Sequence, residues 1–206
     1  MKVFSQIISA VFHPLLMITY GILLALTYTW LAVYPFAVKA LIAGITFTIT
    51  AVIPGLLILL MVRSGAASDT ELSDRRERAV PYLIFITSLL VCLFYFHKMR
   101  LPFWLSAVII GCCVALVTAL FINFAWKISS HTLGTGGFLG GVMGGADMQM
   151  INPFWCFILV IIIGGLVAMS RIYLKRHTPM QAYAGFALGF LSVFGVLSMS
   201  YTYLFN

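Results

Sequence analysis

Two short segments of this sequence gather the residue types that phosphoryl chemistry uses. One is Trp126-Lys127-Ile128-Ser129-Ser130-His131-Thr132. The other is Ser170-Arg171-Ile172-Tyr173-Leu174-Lys175-Arg176-His177-Thr178-Pro179-Met180-Gln181. Each joins a cation, hydroxyls and one histidine. Guanidinium and ammonium groups neutralise the non-bridging oxygens of a phosphate ester, and hydroxyls and backbone N–H groups donate to them. Two imidazoles can then attack phosphorus and protonate the leaving oxygen. Acyl transfer or metal-assisted hydrolysis would need other residues. Thr178-Pro179 reads as a helix start, with Thr as N-cap and Pro in the first turn, which sets His177 at a positive helix end that favours a bound anion. A third basic segment, Arg75-Arg76-Glu77-Arg78, is either part of such a site or a headgroup-facing turn with internal ion pairs.

The elements that must position these residues are membrane spans. The chain has 206 residues, 63% hydrophobic and 8% charged, with mean hydropathy +1.10, far outside soluble domains. A bilayer core about 30 Å thick needs about 20 helical residues. Seven apolar runs qualify, at 4–31, 36–62, 81–97, 103–125, 133–149, 153–169 and 181–203. The fold expected is therefore all-α, a polytopic transmembrane bundle of about seven spans in a single integral-membrane domain covering 1–206. Proline marks the breaks at Tyr34-Pro35, Arg100-Leu101-Pro102 and Asn152-Pro153. Met1-Lys2 and the run behind it read as the first span rather than a signal peptide, because His13-Pro14 interrupts the run and no small-residue cleavage site follows. The segment 63–80 is the one long polar stretch, with Asp69, Glu71, Asp74 and Glu77, and reads as a loop or a short interfacial helix. Alternate threading brings 63–80, 126–132 and 170–180 to one face. Positive charge there has two readings, the positive-inside rule or an anion site.

At these residues the sequence resembles the type 2 phosphatidic acid phosphatase superfamily, integral-membrane phosphatases of lipid phosphates and polyprenyl diphosphates. Its middle motif, Pro-Ser-Gly-His, is matched by Ile128-Ser129-Ser130-His131. Its last motif, Ser-Arg, five residues, His, three residues, Asp, is matched by Ser170-Arg171, His177 and Gln181. The resemblance covers about 126–190 and implies a six-helix phosphatase-like core. It also implies His177 as nucleophile through a phosphohistidine, His131 as general acid, and Arg171, Ser129 and N–H groups near Ser130 as phosphate ligands, with no cofactor and no metal. The family's first motif, Lys, six residues, Arg-Pro, has its nearest counterpart in 74–81, where Arg75 and Arg78 share a helical face and Lys127 stands in for the missing lysine. Gln181 replaces the family's aspartate and supplies an acceptor without negative charge.

The implied partners are a lipid phosphate or polyprenyl phosphate substrate and membrane lipids, in a bacterial inner membrane. Nucleic acid is a poor partner for a net charge of +7 whose basic residues sit between apolar runs. A non-catalytic phosphorylated-lipid binder or transporter is the alternative that Gln181 keeps open. Neither the membrane face of the site nor the oligomeric state follows from the sequence. His13 and His97 read as amphipathic interface residues, Trp104, Trp126, Trp155 and Tyr201 as interface anchors, and Cys92, Cys112, Cys113 and Cys156 as buried thiols. Gly137, Gly141 and Gly145 form a small-residue stripe suited to helix packing.

Overall fold

A computed structural model describes residues 1–70, 72 and 74–205, with side chains as far as Ser200. Glu71 and the Tyr201 side chain therefore lie outside the described residues. All regular structure among the described residues is helical. The α-helices are α1 (Lys2–Val11), α2 (Pro14–Tyr28), α3 (Phe36–Phe47), α4 (Ile53–Arg63), α5 (Ala79–Lys98), α6 (Phe103–Ala125), α7 (Ser130–Met148), α8 (Phe154–Tyr173) and α9 (Pro179–Phe205). A π-turn over Thr48–Val52 joins α3 to α4 just before Pro54, whose missing N–H cannot bond the preceding turn. Among the described residues, five helical segments are long and apolar enough to cross a membrane: Phe36–Arg63, Arg75–Lys98, Phe103–Ala125, Phe154–Tyr173 and Pro179–Ser200. The chain is an integral membrane protein of helical class.

The apolar run 4–31 is not one straight helix. It divides at Phe12-His13 into α1 and α2, bent by 56°, and only the two together have the length of a span. Pro14 is the cause: it donates no hydrogen bond, and it holds His13 extended at φ −66°, ψ 139°. Helix α1 is amphipathic in the inverted sense, burying Ser5 and Ser9 while Val3, Phe4, Ile7 and Val11 face outward. That arrangement suits a helix packed on the bundle with its apolar side in lipid.

Helix α7 has 19 residues but is too rich in glycine and hydroxyls to count with the five apolar segments. It is wrapped by α9, α8 and α2, and most of its residues are buried. Its partner α9 runs parallel to it and in closest packing. The close-approach stripe is Gly136, Gly140 and Gly144, one residue away from the expected register. A methyl group at Gly136 would collide with the carbonyl of Phe186, and one at Gly140 would lie 2.7 Å from the Phe190 carbonyl oxygen. From the other side, Gly189 meets Leu133, and Gly185 meets Thr132 and Ser129. Small residues every fourth position let two backbones touch where side chains would hold them apart. This crossing brings the N-termini of α7 and α9 together, and both carry the positive end of a helix dipole.

Candidate functional site

Helix α8 ends in a turn that determines where His177 points. Arg176 N donates to Arg171 O at 3.0 Å and Lys175 N to Ile172 O at 2.9 Å, with Lys175 in the left-handed region at φ 56°. This is a Schellman end, with lysine in the place that usually holds glycine. His177 N also donates to Arg171 O at 3.4 Å, so the turn folds back over the end of α8. The next helix starts at once in a capping box. Gln181 N donates to Thr178 Oγ1 at 3.4 Å, and Thr178 N donates to Gln181 Oε1 at 3.2 Å. The same Oε1 lies 3.2 Å from His177 Nδ1. Because a backbone N–H donates to that atom, it is the amide oxygen and only accepts. His177 Nδ1 therefore carries the proton, and Nε2 keeps its lone pair. Burial, together with the charges of Arg78 and Lys127, pushes the His177 pKa down to about 3. The imidazole is neutral at physiological pH.

His131 lies in the first turn of α7, buried, with Nε2 3.2 Å from the Ser9 carbonyl of α1. Arg171, in the last turn of α8, is 2% exposed, and Arg78 is 4% exposed. Arg78 donates to Leu72 O at 2.7 Å and Ile128 O at 2.8 Å. Arg78, His131, Arg171 and His177 all line one cavity of about 1090 Å³, together with Ser130 and Tyr82. Tyr82 OH and Ser130 Oγ are 3.1 Å apart. Past this basic end the cavity continues between apolar side chains along α7 to Gln149, a run of about 27 Å at 1.5 Å per residue.

Other residues expected in the site are engaged nearby. Ser129 is fully buried and caps α7, accepting from Thr132 N at 3.4 Å, while its own N–H donates to Gln181 O at 3.4 Å. Lys127 Nζ donates to Arg176 O at 3.0 Å, and its pKa is lowered by burial and by the neighbouring Arg78, Arg171 and Arg176. Arg75 donates to the carbonyls of Phe124 at 3.1 Å and Ala125 at 2.6 Å, covering the open end of α6. Ser129, Lys127, Arg75 and Gln181 are outside the cavity lining. They tie the three basic segments into one body and leave Arg78, Arg171, Ser130 and the histidines facing the space.

His13 is the lining residue that sequence reasoning treated as ordinary. Its ring stands edge-on to His131, with centroids 5.2 Å apart and planes at 80°. The available signal was His13-Pro14 itself, since a residue before proline is extended and suited to N-capping. Comparison with family models, with curated proteins and with solved structures finds no match for this chain.

Proposed function

We propose that this chain is a membrane-embedded phosphatase that hydrolyses a lipid phosphate or polyprenyl (di)phosphate through a phosphohistidine intermediate. In this reading it is a divergent member of the type 2 phosphatidic acid phosphatase superfamily. It has seven spans, counting α1–α2 as one and α7 as another, around a six-helix core in a bacterial inner membrane. The observation that carries the proposal is the joint exposure of His131, His177, Arg78 and Arg171 to one cavity, with His177 held in the tautomer a nucleophile needs. A cavity with a basic end and a long apolar remainder also suits an amphiphile, head at the histidines and chain along α7.

In the proposed reaction His177 Nε2 attacks phosphorus. The reacting form is the ester monoanion, whose remaining proton passes to His131 Nδ1 and from there to the leaving oxygen as the P–O bond breaks. Water then attacks the phosphohistidine, the N–P bond breaks, and His131 takes the water proton. Arg171, Arg78 and the N–H groups at the start of α7 stabilise the charge on the equatorial oxygens. The test is inorganic phosphate release by the detergent-purified protein from a panel of lipid phosphates and polyprenyl diphosphates, beside His177→Ala. Release abolished by His177→Ala supports the reading. Turnover of no substrate, even by Gln181→Asp, favours the second reading, a phosphorylated-lipid binder. That reading draws on Gln181, whose uncharged oxygen is already used by the capping box.

A further inference from the structure

In an unbroken helix the Ser9 carbonyl would accept from the N–H of residue 13, four positions on. Here Phe12 leaves the helical region at φ −99°, ψ 43°, and turns the His13 N–H away at the break that Pro14 terminates, so the last carbonyls of α1 need partners from outside the helix. Val11 O receives the Tyr20 hydroxyl at 2.9 Å. Ser9 O receives His131 Nε2 at 3.2 Å, across 122 residues of sequence. A carbonyl can only accept, so His131 carries its proton on Nε2 and Nδ1 is the nitrogen left to take up and hand on another. At the same break, Leu15 N lies 3.4 Å from His13 Nδ1, the N-cap contact of α2. This puts the proton of a neutral His13 on Nε2. The His13 ring packs edge-on against His131 and lines the same cavity as His131, His177 and Arg171. Pro14 in turn packs against Gly134, one turn beyond His131 on α7.

We propose that the break between α1 and α2 is part of the site: the Ser9 carbonyl fixes the tautomer of His131, and His13 is a positioning residue that fixes its ring plane. The assignment of His131 as the acid rests on the phosphatase reading, but the tautomer and the ring contact do not. The chain has four histidines, so ring-labelled protein in detergent gives a long-range 1H–15N spectrum that can be assigned by single substitutions. Wild type is expected to show His131 in one Nε2–H tautomer. Pro14→Ala, which lets residue 13 reclaim the Ser9 carbonyl, is expected to give a mixture, with unchanged His177 and His97 signals showing that the fold is kept. His13→Asn retains a good N-cap and removes the ring. It is expected to shift the His131 resonances and to lower kcat by about 10- to 100-fold, with KM and Tm near wild type. A His131 protonated on Nδ1, or a His13→Asn protein with wild-type His131 signals and kcat, would overturn the proposal. Absence of phosphate release from wild type, together with the expected spectra, would sink the phosphatase and leave the positioning intact.

Discussion

Replacing Gln181 by glutamate tests the central contact of the site. Glutamate has the same length, and Thr-x-x-Glu is as good a capping box as Thr-x-x-Gln, so both hydrogen bonds to Oε1 can persist. The change adds one negative charge 3.2 Å from His177 Nδ1. At an effective dielectric of about 20, a unit pair at that distance interacts by about 5 kcal/mol. At about 1.4 kcal/mol per pH unit this lifts the imidazole from about 3 to about 6 or 7. In a 15N ring titration from pH 8 to 4, wild-type His177 is expected to stay neutral and the variant to take up a proton within the range. Stability follows with a definite sign. An unfolded imidazole binds a proton near pH 6.5, but the folded wild type does not until about pH 3. Acidification from 6.5 to 3 therefore favours unfolding, by an amount that grows on the order of 1 kcal/mol per pH unit, and the loss is complete below 3. Gln181→Glu narrows that gap, so its Tm should fall less between pH 7 and 5. A variant whose His177 takes up its proton at no higher pH than wild type would refute the contact, because no charge that close could leave it unmoved.

The arginines of the third segment should separate by role. Arg75→Ala uncovers two α6 carbonyls and is expected to lower stability by about 1 kcal/mol, read as Tm, while binding of a lipid phosphate is kept; Arg78→Ala is expected to weaken that binding at least tenfold in a titration. Gly136→Ala places a methyl group on the Phe186 backbone and should cost about 1–3 kcal/mol or more by overpacking, seen as a Tm drop of several degrees. Lys175→Gly relieves the left-handed backbone at φ 56° and should raise stability by about 1 kcal/mol without changing phosphate release.

The helical membrane architecture was legible because apolar run length is nearly a direct reading of span length. The same rule misjudged α1 and α2, since it counts residues and does not ask where a helix axis turns. His13-Pro14 was visible as an interruption, but which distant side chain would take the freed Ser9 carbonyl depends on how the packing of α1 on α8 sets it beside the start of α7, and no local pattern encodes that. The glycine stripe shows a similar limit. Gly136, Gly137, Gly140, Gly141, Gly144 and Gly145 offer two equally periodic stripes, and the choice of Gly136, Gly140 and Gly144 follows from the approach of Phe186, Phe190 and Leu197. In the site, residue type found the three basic segments but could not divide them by task. Arg75, Lys127 and Ser129 spend donors or acceptors on helix ends, which composition cannot distinguish from facing a ligand.

Gln181 is the instructive residue, because its meaning in the sequence and in the structure point in different directions. Against the resemblance it is a lost aspartate, a defect that would leave the imidazole without an orienting charge. Against local helix chemistry Thr178-Pro179-Met180-Gln181 is a complete N-terminal signature, and its glutamine oxygen is positioned by Thr178 N before any histidine is considered. That fixed oxygen then orients His177 at no further conformational cost. Burial, with Arg78 and Lys127 beside it, holds the imidazole neutral. A neutral, oriented imidazole is the reactant form of a nucleophile, and what the missing carboxylate withholds is stabilisation of the charged form that follows attack. In the proposed reaction Gln181 therefore preserves the ground-state geometry while removing a transition-state contribution. An effect of Gln181→Asp confined to kcat, with KM unchanged, is the expected signature of that division.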